Sequence, residues 1–557
     1  MANSVSDLER TEISKRLGAL PVILQVLRKL DIREIVDRYC PIREVADYTH
    51  GQMAEIFILN RLTAPHPLYR FDLWAEEFAV AELCQIDSAK LNDDRLGRSL
   101  DVMADFLEAI NAEIALRAVT VFGLSLEQAH LDITSFLFEG VYKSSDPEYP
   151  MVKRGYNAEK DFKRRQVKAG QAVLKDGNVP IFFKVFDGNR TDSNTLMQVF
   201  EGLEFLRSVA KPQKMINVGD SKLLSAGNLL LLLEKEALFV GPGERGKGIT
   251  EELLALDPEK WVELSYASEA ELLKRKNAHK DDWNRYWFQE APASIRDPKS
   301  GNEFLYRKLT IRSSEEMRAT KKNRERQLQK AEEELEKLAN GIPRYYKTEQ
   351  AVQNKAASIL EARRVTDFIK FTVGTRDGQL KDKAGRSQAA KMPTLVWNQD
   401  PDAIAKAERI SGCCHLLTNL PAERTPNEVL QIHKDQYRVE QRFANWKGPL
   451  EVTPIFLKSN RRIAALLLVT GLALMIFSLI EREVRRELGD KDGYAVGFIG
   501  ERRKSRPTGT TIFYVLRVVT ALITRGEPKI NRVLNIPPLV QKIHDIFEVK
   551  IEQIIRS

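Results

Sequence analysis

Cysteine is scarce in this chain. Only Cys40, Cys84, Cys413 and Cys414 occur among 557 residues. No two of them form a C-x-x-C pair, and the seven histidines complete no zinc-ligand spacing. So few thiols in so long a chain exclude a disulfide framework and fit a reducing compartment, so a cytoplasmic protein is expected. The first residues are polar and charged, unlike a secretory leader. Internal repeats and low-complexity tracts are lacking. Long apolar runs are nearly so: one stretch, residues 463–480, reaches 18 residues without a charge, the lower limit for a membrane-spanning helix. It contains Thr470, Gly471 and Ser478 and has no second apolar segment to pair with, so it is expected to be a buried core helix. A large excess of one charge is also missing. The balance of 86 basic and 78 acidic residues leaves +8, which suits a polyanion such as DNA better than an acidic substrate.

What is present reads as a multi-domain soluble protein, since 557 residues exceed one compact core. Residues 1–112 read as mostly helical, with Leu17, Leu20, Ile23 and Leu27 at helical spacing. Asn92, Asp93 and Asp94 precede a further helix as caps. From about residue 125 the texture becomes β: alternation over 130–138, a hairpin turn at Asp176-Gly177-Asn178, and short apolar strands ending near Asp220 and Val240. Strands first in a meander, then alternating with helices, predict a mixed α/β sheet over 113–240. Residues 241–412 break that rhythm and read as an inserted domain of strands plus a charged helical hairpin, 314–340 with 348–363. The core pattern is expected to resume over 413–490, with one helix over 426–446, and to end in a helical region at 491–557.

Three acids stand out by context. Asp132 sits mid-strand on a face shared with His130 and Thr134. Asp220 ends a later strand. Glu440 lies on a helix, with Lys447 two turns on along the same face. Taken alone, Asp132 is a polar residue of an edge strand, and Glu440 a surface acid paired with Arg442 or Lys447. Three carboxylates gathered at a sheet edge repel one another and require a cation, and hard oxygen donors suit Mg²⁺ or Mn²⁺.

The order and context of these residues resemble the DDE transposases of bacterial insertion sequences, in the cut-and-paste branch with a β-rich domain inserted before the catalytic glutamate. His130-Leu131-Asp132-Ile133-Thr134 matches the first acid. Val218-Gly219-Asp220-Ser221-Lys222 with Asn228 matches the second. Val439-Glu440-Gln441-Arg442-Phe443 with Lys447 matches the third. Gly155-Tyr156-Asn157, Arg164-Arg165-Gln166, Gly188-Asn189 and Asp192 resemble the connecting motifs, and Leu417-Thr418-Asn419 the strand after the insertion. The N-terminal Gly18-Ala19-Leu20-Pro21 and 91–98 resemble the DNA-end-binding or dimerisation domain that precedes such cores. The sequence departs from the pattern before Glu440, where the family's tyrosine and arginine are replaced by His433 and Gln436.

The resemblance implies a ribonuclease-H-like mixed sheet and a polynucleotidyl transferase with catalytic and metal-binding Asp132, Asp220 and Glu440 around two Mg²⁺ or Mn²⁺ ions. It implies cleavage at transposon ends, transfer of the 3′-hydroxyl into target DNA, double-stranded DNA (terminal inverted repeats and target) as partner, and a homodimer in the synaptic complex. A nuclease without joining, or a non-catalytic DNA-binding derivative, are the alternatives. Expected DNA contacts are Lys447, Arg438, Tyr437, Arg164, Arg165, Arg461, Arg462 and the cluster Arg502, Arg503, Lys504. Trp397 and Trp446 could stack on an unpaired base, but a buried fate is expected for both.

Overall fold

The computed structural model describes residues 12–556, apart from 43, 45, 141, 143–145, 158–160, 211–213, 245, 247, 276–278, 280–281, 343, 382–386, 453–454 and 525–528. The chain divides into two compact units. One contains the N-terminal part to Gly241 and returns from Ile432 onward; the other is Pro242–Gln431. Strand Cys413–Thr418, where the core pattern is expected to resume, lies antiparallel to Glu303–Ser313 over six residue pairs.

The inserted unit pairs Cys413–Thr418, Glu303–Ser313, Tyr286–Arg296 and Val262–Leu264 in antiparallel order. Its charged helices, Ser314–Asn340 and Glu349–Arg363, bury Leu328, Leu335, Val352 and Ile359, among others, in a core that Ile369 and Leu395 of the following strands share. A long hairpin, Ile369–Lys381 with Ser387–Gln399, follows, and Trp397 packs against that core.

The first unit is built on a mixed sheet in the order Pro180–Asp187, Arg165–Leu174, Gln128–Phe138, Ile216–Val218, Leu238–Pro242. The first three strands form an antiparallel meander; the last two join in parallel. The meander turns at Asp176–Asn178, where Gly177 (φ 65°) and Asn178 (φ 55°) take the left-handed conformation that a tight hairpin requires. The 29-residue helix Asn460–Leu488 packs against strand Pro180–Asp187 and helices His50–Thr63 and Asp93–Ala104. It is long and apolar enough to cross a membrane, and its apolar window is wholly buried inside the unit. All-round burial explains why its sequence is apolar on every face.

The expected helical C-terminal region is instead partly β. Glu12–Arg16 pairs with Thr520–Thr524, which pairs with Ile530–Leu534, so the two ends of the unit share one sheet. Ala495–Gly497 and Gly500–Ser505 form a hairpin that carries Arg502, Arg503 and Lys504. The β-branched run Val518-Val519-Thr520 and Ile523-Thr524 favours strand over helix.

The expected single helix over 426–446 is two, Pro426–Lys434 and Tyr437–Lys447. The break at Asp435-Gln436 frees both side chains for other work. Gln436 Nε2 donates to the Leu131 carbonyl (3.1 Å) and its Oε1 lies 3.1 Å from His130 Nδ1. The Arg438 guanidinium donates to Asp435 (3.0 Å) and to Asn178 Oδ1 (2.8 Å). Gln171 Nε2 donates to the Val439 carbonyl at 3.3 Å. Arg442, fully buried, donates to the carbonyls of Asn178 (2.7 Å) and Gly177 (3.0 Å) and to Glu481 on the long apolar helix (2.9 Å). Trp446 is fully buried, donates to Thr470 Oγ1 at 3.0 Å and meets Phe136 edge-on at 5.0 Å. The helix that carries Glu440 is therefore bolted to the Asp132 strand at its start, to the hairpin turn along its length, and to the core helix at its end.

Removing one member of a buried ion pair costs about 3–5 kcal/mol, because the other charge stays behind uncompensated. Arg442→Met should lower stability by roughly that amount, read as a fall in the urea midpoint. An unchanged midpoint would show that the guanidinium does not hold this helix.

Candidate active site

The parallel register sets the first two acids side by side. His130 lies opposite Val218. Asp132 and Asp220 each follow two residues later, so Asp132, in mid-strand, and Asp220, past its strand's end, both lie just beyond the carboxyl end of the parallel-paired stretch. Alternation puts Asp132 on the face of His130, and Asp220 follows Val218 in the same way. Asp220 begins the turn after its strand, and its Oδ1 accepts the Lys222 and Leu223 N–H groups at 2.8 and 3.4 Å. Asn228 holds that turn by donating to the carbonyls of Lys222 and Ser193, both at 3.0 Å. The Ser193 contact ties the turn to the start of the helix Asp192–Ala210.

The charges feel one another. The Asp132 carboxyl is pushed up to about 7, first by burial and then by Asp220, Glu440 and Asp192, while the Ile133 N–H, donating at 2.7 Å, opposes the rise. Burial, with Asp192 adding, also raises Asp220 against the pull of its two backbone N–H groups. Glu440 is exposed on its helix. The structure thus brings Asp220 and Glu440 within electrostatic range of Asp132, and adds Asp192, which the sequence motif contained without a charge role. Asp192 is itself paired with Lys168, whose ammonium is buried and also donates to the Arg190 carbonyl at 2.8 Å.

An all-oxygen donor set of this kind fits a hard divalent cation. Among the described residues, no three His, Cys, Asp or Glu side chains are drawn together at ligating distance. Like charges separate, and a divalent ion is what would draw these three inward. Asp132 Oδ1 and Asp220 Oδ1 are turned onto backbone N–H groups.

Behind Asp132 lies a neutral histidine relay. Gln128 Nε2 sits 2.9 Å from His130 Nε2, and His130 Nδ1 faces Gln436 Oε1. Burial holds His130 down at about 4 against the raising effect of Gln436. Burial, with Lys434 and His130 adding, also holds His433 down at about 4. Both positions where the sequence departs from its resembled family therefore have structural work to do: Gln436 fastens the Glu440 helix, and His433 packs as a neutral ring. Adjacency of His130 to Asp132 was the only sequence signal for this relay.

A cleft of about 390 Å³ opens along the strand beyond Asp132, lined by Ser135, Phe136, Tyr142, Arg164, Lys447 and Lys458, among others. Lys447 Nζ lies 5.7 Å from the Phe136 ring centre and Lys458 Nζ 4.5 Å from that of Tyr142. Tyr142 and Lys458 carry no motif signal. The remaining expected DNA contacts scatter. Arg164 pairs with Asp161 at 3.1 Å while staying half-exposed, and Arg165 donates to the Tyr142 carbonyl at 3.0 Å. Arg461 pairs with Asp105, and Arg462 grips Asp101 through three bonds of 2.7–3.1 Å. Gly97 leaves the space that the Arg462 guanidinium fills, since a Cβ there would meet it at 2.6 Å. Arg461 and Arg462 thus act as struts between the long helix and helix Asp93–Ala104 with the Asp105 that follows it. Arg438 is likewise committed to Asp435 and Asn178, and Tyr437 is half-exposed beside it. Arg502, Arg503 and Lys504 lie exposed on their hairpin.

The raised Asp132 carboxyl has a stability signature. In metal-free buffer the fold keeps this proton over a range where the unfolded chain has lost it, so its contribution favours the fold at low pH and fades as pH rises from about 4 through about 7. Asp132→Asn removes the titration. The parent should lose stability relative to this variant between about pH 4 and pH 8, measured by denaturant midpoints with chelator present. A pH-independent difference would contradict the charge crowding.

Residues 12–116 match a family model described as a domain of unknown function (DUF4277). No curated protein matches the chain. Among solved structures the chain is similar to one described as "Cryo-EM structure of piggyBac transposase synaptic complex with hairpin DNA (SNHP)", with 11% sequence identity and a TM-score of 0.38 over 91% of this chain and 83% of that one. At this score the likeness leaves fold and activity to be argued from the chain's own geometry.

Proposed function

We propose that this chain is a DDE-type transposase with a ribonuclease-H-like core, which cuts DNA at element ends and joins the freed 3′-hydroxyl to target DNA. One observation carries the reading. Two aspartates follow paired residues of adjacent parallel strands, and a glutamate from beyond an inserted unit is docked closely enough to raise the first of them. In this reading Asp132, Asp220 and Glu440 would together hold two divalent ions. The ions, when bound, would activate the attacking oxygen and steady the leaving one.

The chain's own groups do the rest. Lys447, Arg164 and Lys458 line a cleft along the strand that carries Asp132 and would grip the phosphates flanking the reacting bond. Gln436 and the neutral His130 keep the Glu440 helix against the Asp132 strand without adding a charge to a crowded site. The site is composed for a substrate that is itself an anion: the acids serve the metal, and the lysines and arginine serve the polymer. The homodimer and the bacterial insertion-sequence origin belong to the same proposal.

The test uses the full chain, Mg²⁺ or Mn²⁺, and duplexes ending in the DNA that borders its coding sequence. The parent should yield nicked and joined products, and Asp132→Ala should yield neither while binding the same duplexes. Cleavage retained in Asp132→Ala, or cleavage independent of divalent metal, would overturn the assignment. Cleavage without joining would reduce it to a nuclease.

A further inference from the structure

A second basic recess lies within the first unit, where the hairpin turn at Gly177-Asn178 meets the last turns of the long helix. Its volume is about 550 Å³. Seven lysines and arginines line it, against two acids, Asp490 and Asp492. Part of that charge is spent on the fold. Arg482 holds Asp176 through two bonds of 2.7 and 2.8 Å, and Arg485 holds Glu481 at 2.6 Å and the Pro507 carbonyl at 2.6 Å. These pairs, together with those of Arg486 to Glu483 at 2.7 Å and Glu487 at 3.0 Å, fix the arginines in place and occupy much of their donor capacity. Lys175, Lys491 and Arg506 sit exposed at its edge.

Three further observations mark it as built to receive an anion. Burial pushes the Arg485 guanidinium down to about 10, with Glu481 opposing and with Arg506 and Arg442 adding to the fall, so cations crowd there. Arg438 Nε is buried without an acceptor among the described residues, a donor whose unmet bond is costly. The charge also continues beyond the recess. Arg506 follows directly on strand Gly500–Ser505, where Arg502 and Lys504 share a face about 6.6 Å apart, and Lys504 is pinned to Asp490 at the recess wall (2.7 Å). A pocket that runs on into a line of cations suits an extended polyanion better than a small anion, and guanidinium forks match phosphate.

The recess is also apart from the acids. Arg438 and Glu440 are two residues apart on one helix, about 200° around its axis, so they face opposite ways. We propose that this recess and the adjoining strand bind the sugar–phosphate backbone of duplex DNA at a point separate from the three acids. The inference takes its polyanion from the DNA reading above. The bound backbone would press on Arg438 and Arg485, and so on the helix that carries Glu440.

The experiment is fluorescence anisotropy of a labelled random-sequence duplex against the full chain, titrated from about 50 to 200 mM salt. Each phosphate contact contributes about −0.9 to the slope of log affinity against log salt. The variant Lys175→Gln/Lys491→Gln/Arg506→Gln should flatten that slope by about 2.7. The charge-keeping Lys175→Arg/Lys491→Arg/Arg506→Lys should restore it, which separates charge from folding. Arg502→Gln/Arg503→Gln should flatten the slope further, and Asp132→Ala should leave it unchanged. A parental slope in the triple variant overturns the inference, whatever the cleavage assays give. So does a recess that only takes up tripolyphosphate, seen as thermal stabilisation of the parent and not of the triple variant with equal DNA slopes. A flattened slope in a chain that never cuts DNA would sink the catalytic reading and leave this one standing.

Discussion

The arrangement depends on one buried guanidinium. Arg442 is fully inaccessible and joins three things at once: the helix that carries Glu440, the carbonyls of the hairpin turn, and Glu481 on the core helix. Glu481 in turn accepts the Gly509 N–H (2.7 Å) and pairs with Arg485. The third acid reaches the sheet only after the chain has left the first unit and returned. Local sequence cannot position it, so a long-range clamp must. A buried pair adds little net stability over an apolar one, but it admits one geometry, and misplacing a catalytic group by an ångström is costly.

That precision is used against repulsion. Burial first, and then Asp220, Glu440 and Asp192, disfavour the charge of Asp132, which carries the consequence in its raised pKa. The surroundings share the load. Lys168 is buried against Asp192, the histidines behind the site are held neutral, and backbone N–H groups face the aspartates. A stable core would avoid such a cluster, and one kept in tension marks a candidate functional site.

Much of this was legible from residues alone, and the rest was not for identifiable reasons. The Asp132 strand, the turn at Asp176-Gly177-Asn178 and the charged helical hairpin follow from periodicity and turn chemistry, which are local. The break at Asp435-Gln436 was not legible, because its cause is the carbonyl of Leu131 and the ring of His130, far away in the chain. Glu440 read alone as a partner of Arg442, whereas Arg442 turns inward to Glu481. Arg461 and Arg462 read as free cations, since nothing in sequence shows that Asp105 and Asp101 stand opposite. The C-terminal strands were missed because their pairing partner, Glu12–Arg16, lies at the other end of the chain.

The most direct measurement is anomalous diffraction from crystals of the chain soaked in Mn²⁺. The account predicts two manganese peaks about 3.5–4 Å apart, bounded by the carboxylates of Asp132, Asp220 and Glu440. Manganese bound elsewhere, or bound there with Glu440 still turned to solvent, would contradict it.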